Sequence, residues 1–279
     1  MYEGTTEYFA QLFQVYEGLI DETEFYNRIY TKLENKNRYD KTMSFTEMSA
    51  NILESPYKDN YMNIYEKGAL ISMCIDILIR ENTQGKKGII DLMEALSKKY
   101  GNNTPFQDDE LIGIIGDLTA PNVEFFLNKH VVGGTPIDYN KYLLKVGLQL
   151  KQSKIETGYF INKYDPYISP DKIHNRIYFN SNHEYNSFLT DLKIQPNDIL
   201  VSINNRKFNL DNIRELFLTS RKWKKGEQIQ MTINRGGVEF TTSTKIIAPP
   251  FITSTSIESI NENELTSIQK RLRSRWLNL

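Results

Sequence analysis

The chain is poor in the residues that build disulfides and metal sites, and it has no long hydrophobic run. Among its 279 residues Cys74 is the one cysteine, which excludes an internal disulfide framework and a multi-cysteine zinc site. The longest apolar stretch, 68–79, is interrupted by Asp76 and is shorter than the ~20 residues of a spanning helix, so no membrane span is expected. A net charge of −1 and a pI near 6.4 predict no nucleic-acid partner.

Several catalytic motifs are also missing from the sequence. There is no GxSxG, GxGxxG, Walker loop or CxxC, and the three histidines (His130, His174 and His183) include no pair at the three-residue gap of HExxH. The histidines are therefore expected to be structural or surface residues. These absences leave a serine protease as a distant possibility.

What is present divides into two parts with different periodicities. Residues 1–150 show helical spacing throughout, with capped starts at Asp21 and Ser44 and a proline, Pro121, suited to a first turn. The segment YMNIYEKGALISMCIDILIREN is apolar on almost every side, which indicates a buried helix. This half is predicted to be all α and to extend as a last helix through NKYLLKVGLQL.

Residues 151–250 instead contain short β-rich runs, a hairpin signal at Gly236-Gly237 and one amphipathic helix in NLDNIRELFLTS. They predict a small β-barrel-like module. Residues 251–279 are expected to form a C-terminal tail and helix with a solvated basic face. The fold class is therefore α+β and multidomain. The basic residues of the last helix are Lys270, Arg271, Arg273 and Arg275.

Two clusters in the helical half stand out. In YEGTTEY, Glu3 and Glu7 lie four residues apart and so share a helix face; in YEKG, Tyr65 opens the buried helix 62 residues after Glu3. Taken singly, these are two solvated glutamates and a core tyrosine. Together they resemble the second half of a gluzincin, a thermolysin-like zinc peptidase domain.

Further pieces sharpen the resemblance, which covers about residues 1–250. Asp76 and Arg80 in the buried helix, with the segment Gly134-Thr135-Pro136, are similar to the glycyl aminopeptidase family, in which a zinc domain is followed by a PDZ domain. The YEKG motif itself is closer to the aminopeptidase N type, which stays open as an alternative for the helical half.

The resemblance implies specific roles. Glu3 would be the third zinc ligand beside two histidines of an HExxH helix, Tyr65 would stabilise the oxyanion, and Glu7 would orient a ligating histidine. The substrates would be peptides, with a preference for N-terminal glycine. Because HExxH is absent, we expect a chain cut just upstream of its first helix, inactive and without zinc by itself, from a parent zinc enzyme. A bacterial source is expected, with a periplasmic or cytoplasmic location left open.

The segment LKIQPNDILVSINNRKF resembles the core of a PDZ domain, with Asn197 and Asn205 where glycines are usual. Asparagine tolerates left-handed backbone, so these turns are expected to survive. The candidate carboxylate-binding loop is Gly158, Tyr159 and Phe160, followed by Ile161, which implies binding of peptide C-termini. The alternative function is a non-catalytic PDZ scaffold.

Overall fold

The computed structural model describes residues 2–101, 103–162 and 165–277, without the side chain of Tyr2. The helices are α1 (Tyr2–Tyr16), α2 (Glu22–Asn35), α3 (Phe45–Ala50), α4 (Asn63–Asn82), α5 (Ile89–Lys99), α6 (Leu111–Leu118), α7 (Pro121–Leu127), α8 (Tyr139–Lys145), α9 (Ser187–Asp191), α10 (Ile213–Ser220) and α11 (Ser267–Leu277). The strands are β1 (Leu148–Glu156), β2 (Ile161–Asn162), β3 (Asp165–Pro166), β4 (Ile168–Asp171), β5 (Arg176–Phe179), β6 (Ile199–Ile203), β7 (Arg206–Lys207), β8 (Gln228–Arg235), β9 (Val238–Lys245) and β10 (Phe251–Ser259).

Shorter helical turns lie at Lys36–Arg38 and Lys58–Asn60, and a π-helical segment covers Asn128–Val132. Within the described ranges, no helix combines the length and the apolar character needed to cross a membrane. Mixed helices and antiparallel strands, as predicted, make up the fold.

The chain forms two compact units. The first contains residues 1–151 and 256–279, and the second contains residues 152–255. Strands β1 and β10 pair with each other, and both unit boundaries lie within these strands. The predicted segment 251–279 is therefore shared between the units.

Helix α4 lies at the centre of the first unit, and its side chains from Lys67 to Arg80 are all buried, as the sequence predicted. The predicted caps are present around it. Asp21 accepts the N–H of Glu24 at 2.7 Å, and Ser44 accepts the N–H of Glu47 at 3.1 Å. These caps begin α2 and α3, two of the helices that enclose the first core.

The expected last helix of the first half ends earlier than predicted. Helix α8 stops at Lys145 and strand β1 begins at Leu148, so the all-α description fails for the last residues of 1–150. Gly147 has a φ of +72°, and a Cβ at this position would lie 2.5 Å from Leu265 Cδ2. A glycine in the left-handed region ends a helix efficiently, which the apolar spacing alone did not reveal.

The second unit is built on one antiparallel sheet with the order β4-β5-β6-β8-β9, and β7 pairs with β6. The predicted hairpin joins β8 to β9 through Gly236 and Gly237, both at positive φ. Among the described strands the sheet is open, with β4 and β9 at its edges, and does not close into the expected barrel-like form, because β10 pairs with β1 instead. A short helix that the sequence analysis missed, α9, packs Phe188 and Leu189 into the core beside α10.

Candidate functional site

A contact between two glycines positions the first candidate site. A Cβ on Gly4 of α1 would lie 2.7 Å from the backbone of Gly68 in α4, so the helices touch where neither residue has a side chain. Glycine is required at Gly4 because alanine would collide with backbone atoms that cannot move aside independently. The glycines of the YEGTTEY and YEKG clusters therefore bring Glu3 beside the start of α4.

Glu3 and Tyr65 are linked through Tyr61, a residue that the sequence analysis missed. The Tyr61 hydroxyl donates to Glu3 Oε1 at 3.3 Å, and its ring meets the ring of Tyr65 edge to face, with centroids 6.3 Å apart. A hydrogen bond with the Tyr65 side chain, followed by the negative charge of Glu3, raises the pKa of Tyr61 above its ordinary value. Tyr61 lies just before α4, and nothing in the spacing of the sequence pairs it with Glu3, which is 58 residues away.

Glu7, the residue predicted to orient a ligating histidine, is held by a lysine. Lys32 Nζ on α2 lies 2.7 Å from Glu7 Oε1 and also donates to the backbone oxygen of Tyr65 at 3.3 Å. The same ammonium lies 3.9 Å from Glu66 Oε2. Because the Lys32 side chain is only 10% exposed, the ion pair ties α1 and α2 together beside the candidate site.

Below the glycine contact, α1 and α4 are joined by buried polar groups. Thr5 Oγ1 lies 3.1 Å from Ser72 Oγ, and the Tyr8 hydroxyl donates to Asp76 Oδ2 at 2.7 Å. Asp76 also accepts from Arg80 Nε at 2.9 Å and from the backbone N–H of Ile89 at 2.9 Å. Asp76 and Arg80, which carried part of the resemblance, therefore form a buried network that fixes the register of the two helices.

The described residues supply a single candidate zinc ligand at this site. Glu3 presents a half-buried carboxylate, a donor that zinc accepts, yet no group of three His, Cys, Asp or Glu side chains comes together within the described ranges. His130 is buried against Phe126 and pairs through Nδ1 with the Thr135 carbonyl at 2.7 Å, while His174 and His183 lie near Asp171 and Asp165. These residues do not complete a zinc site by themselves.

The second unit contains a cavity of about 560 Å³ beside the predicted carboxylate loop. Its wall includes Gly158, Tyr159 and Phe160, the three residues predicted for that loop. The rest of the wall comes from the end of α10, the turn after it and the segment after β9, and it contains both apolar and cationic side chains. The apolar residues of that wall include Phe217, Trp223, Ile246, Pro249 and Pro250.

The loop itself is a tight turn. The N–H of Gly158 donates to the carbonyl of Ile161 at 3.0 Å, and a Cβ on Gly158 would lie 2.5 Å from Ile161 Cγ2. Within the described ranges, the backbone N–H groups of Tyr159 and Phe160 make no hydrogen bond. Asn186, which is fully buried, holds the loop by donating to the carbonyl oxygens of Gly158 and Tyr159. Within the described residues, the loop thus combines a fixed geometry with two backbone donors that make no hydrogen bond, next to a largely apolar cavity.

Comparison with known proteins supports the resemblance. Residues 1–71 match the family model of the M61 glycyl aminopeptidases. An aminopeptidase N family protein from Idiomarina loihiensis has a similar structure, with a TM-score of 0.53 at 15% identity over 99% of this chain and 48% of that protein. The chain therefore spans about half the length of that relative. No curated protein matches the chain.

The match to the family model contains the whole glycine contact, together with Glu3, Tyr61 and Tyr65. It confirms the predicted resemblance to the glycyl aminopeptidases. The structural match adds that the chain has a fold similar to part of an aminopeptidase N family protein.

Proposed function

We propose that the chain is part of a zinc-dependent aminopeptidase that removes N-terminal residues from peptides, with glycine as the preferred residue. The observation that carries the proposal is the convergence of Glu3, Tyr61 and Tyr65 where α1 meets α4, inside the segment that matches the glycyl aminopeptidase model. The two histidine ligands and the general base would come from an HExxH segment outside the present sequence.

Each residue of the cluster has a role in this proposal. Glu3 would be the third metal ligand, and Tyr65 would donate a hydrogen bond to the oxygen that becomes negative as the peptide bond is attacked. Tyr61 would hold the Glu3 carboxylate in one orientation through its hydroxyl. A bound zinc ion supplies Lewis acidity and lowers the pKa of its water. Because the described residues offer one ligand, the 279-residue chain by itself is proposed to be inactive.

The test compares the chain with a longer protein that includes the upstream HExxH segment. We expect the longer protein to contain one zinc ion and to release glycine from a glycyl-peptide, and a Glu3→Gln variant to lose most of both. The matched control is Glu17→Gln, because Glu17 is an exposed glutamate just beyond α1. Normal zinc content in Glu3→Gln would contradict the role of Glu3, and zinc-dependent activity of the 279-residue chain alone would contradict its inactivity.

For the second unit we propose a PDZ-like function, the binding of a peptide C-terminus beside Gly158, Tyr159 and Phe160. The backbone donors of the loop that make no hydrogen bond within the described ranges suit a carboxylate, and the cavity next to them suits an apolar last side chain. Among the described strands β2 pairs with β3 alone, so an edge is left on which an extended peptide can add.

The second candidate function is a non-catalytic scaffold that uses this peptide site only. The cavity favours it, since peptide binding there needs no metal. The zinc content of the longer protein separates the two functions: one bound zinc supports the peptidase, whereas its absence together with peptide binding supports the scaffold.

A further inference from the structure

A strongly basic turn borders the cavity of the second unit. Between α10 and β8 the sequence reads Arg-Lys-Trp-Lys-Lys at residues 221–225, four cations around one tryptophan. We call these five residues the basic turn. Arg221, Trp223 and Lys225 line the cavity, so cations and an aromatic ring face the same space as the loop of Gly158.

The basic turn is fixed in place at both ends. The Lys222 N–H donates to Thr219 at 3.0 Å, and the N–H of Gly226, at a φ of +98°, donates to Ile246 at 2.7 Å. Between these anchors the ring of Trp223 packs edge to face on Tyr159, with centroids 4.8 Å apart. The charged side chains therefore extend from a backbone that is anchored to the cavity wall.

The cations of the basic turn have no carboxylate partner in the described part of the chain. Arg221 and Lys225 are exposed, and no ion pair joins either of them to an acidic side chain there. The charge also extends to the whole unit: residues 152–255 contain 14 Lys and Arg against 10 Asp and Glu, a formal charge of +4. The near-neutral total of −1 conceals this local excess.

We propose that the second unit selects acidic peptides, with an apolar C-terminal residue and Asp or Glu two to four positions before it. The inference rests on the proposed peptide site and adds a charge preference to it. In a bound peptide the terminal carboxylate meets the loop at Tyr159 and Phe160, and the last side chain fills the apolar cavity. The preceding side chains then pass the mouth of the cavity, where Arg221 and Lys225 are located.

The expected preference is moderate and depends on salt. Exposed ion pairs contribute little individually, so two to three acidic side chains should improve the dissociation constant by about threefold to tenfold over alanines. The distance over which charges interact shortens as the ionic strength rises, so the preference for acidic peptides should decrease between about 0.05 M and about 0.5 M salt. The binding of the last residue, which is apolar, should not decrease with salt.

The experiment titrates the 279-residue chain with synthetic peptides and measures calorimetric heat. The peptides are Glu-Asp-Glu-Ser-Leu with a free carboxylate, its C-terminal amide, Ala-Ala-Ala-Ser-Leu and Lys-Lys-Lys-Ser-Leu. We expect the acidic peptide to bind most tightly, the lysine peptide most weakly, and the amide to lose binding. The double variant Arg221→Glu with Lys225→Glu should abolish the preference for acid while still binding the alanine peptide.

The matched control is Lys172→Glu with Lys207→Glu, which makes the same change in charge at exposed lysines outside the cavity wall. Its peptide preference should equal that of the unmodified chain. Equal affinity for the acidic and alanine peptides would overturn this inference and leave the proposed peptide site standing, because the cations would then only stabilise the end of α10. Failure of every peptide to bind would overturn both.

A mixed-sequence single-stranded oligonucleotide and vesicles of phosphatidylserine serve as further probes. If either binds through Arg221 and Lys225 while the acidic peptide does not, the basic turn recognises phosphate rather than carboxylate side chains, and the inference fails. If neither binds and the acidic peptide does, charge selection for peptides is supported.

Discussion

At the scale of single residues, the first site depends on two positions that have no side chain. Gly4 and Gly68 permit helix contact, and this contact determines where Glu3 and Tyr61 lie. Glu3 and Tyr65 could be identified from their resemblance to a family, whereas Tyr61 could not, because its contribution depends on which side chain faces Glu3. Such a contact across 58 residues cannot be read from spacing along one helix.

Replacement of Gly4 by alanine should destabilise the protein. The added Cβ would lie 2.7 Å from the backbone of Gly68, so α1 must move away from α4, at a cost of about 1–3 kcal/mol. Urea unfolding of the chain measures the change. The control is Gly113→Ala in α6, where an added Cβ would meet nothing within 4 Å. This variant is expected to gain about 0.5–1 kcal/mol in its free energy of unfolding, because alanine favours the helix over glycine. Similar effects of both substitutions would show that the glycine contact does not limit helix packing.

Replacement of Tyr61 by phenylalanine tests its positioning role in the longer, zinc-containing protein. The aromatic contact with Tyr65 is kept and the hydrogen bond to Glu3 is lost, so zinc affinity and kcat should both fall, by about 10-fold to 100-fold. Tyr65→Phe should instead lower kcat by about 10²-fold to 10³-fold with zinc affinity unchanged. Unchanged zinc affinity in Tyr61→Phe would rule out the positioning role.

At the scale of secondary structure elements, the π-helical segment Asn128–Val132 carries a buried histidine that responds to pH. Burial lowers the pKa of His130 below its ordinary 6.5, and the charges of Lys129 and Lys67 add to this effect, against the hydrogen bond with the Thr135 carbonyl. On acidification the unfolded chain takes up a proton at this histidine before the folded chain does. Its contribution to stability is therefore complete above about pH 6.5 and decreases as the pH falls towards the lower folded value.

We expect the chain to lose stability between about pH 7 and pH 5, and the variant His130→Gln to lose less. The glutamine removes the titrating group and keeps a donor for the Thr135 carbonyl. Urea midpoints measured at both pH values provide the comparison. Asn128→Gln is the control, because this exposed position of the same π-helical segment carries no titrating group and its replacement should leave the pH dependence unchanged. An equal pH effect in His130→Gln and in the unmodified chain would exclude His130 as its source.

The turns of the second unit behave as the sequence predicted. Asn197 and Asn205 have φ values of +70° and +66°, so asparagine does adopt the left-handed backbone where glycine is usual. This could be predicted because asparagine tolerates the conformation through its own chemistry, without distant contacts. The early end of α8 has a local cause as well, since Gly147 adopts a φ of +72°, but the apolar spacing continues through this glycine and so favoured a longer helix.

The effect of a substitution at Asn197 on stability should depend on whether the new residue tolerates a positive φ. Asn197→Gly should leave stability unchanged or slightly higher, and Asn197→Val should cost about 1–2 kcal/mol, because a β-branched residue is strained at this φ. Thermal unfolding of the two variants gives the difference directly. A valine variant as stable as the glycine variant would show that the turn can adopt another conformation.

At the scale of the whole molecule, composition and periodicity predicted a helical part and a strand-rich part, which the two units contain. They could not predict that the C-terminal segment returns to the first unit. Residues 256–277 contribute to the first unit, where Trp276 is fully buried, meets Phe25 edge to face and donates to the Tyr8 hydroxyl at 2.7 Å. An amphipathic pattern shows that a helix has a partner but does not identify it.

The second unit should fold without the first. Residues 148–259 contain a separate apolar core and keep both β1 and β10. We expect this piece to unfold cooperatively in urea, and the matched piece 1–147 to lack a cooperative transition, because it lacks Trp276. A cooperative transition in 1–147 would show that the last helix is dispensable for the first core.

The position of Trp276 also sets an order of events during synthesis. A ribosome must finish the whole of residues 152–255 before it reaches the tryptophan that completes the first core, so the first unit cannot be completed until the second has been synthesised. During that interval the apolar faces of α1 and α4 are exposed to chaperones and proteases. Slow codons just after residue 259 would prolong this exposure, and a nascent chain stalled there should be cleaved by protease in the first 150 residues faster than the released, complete chain.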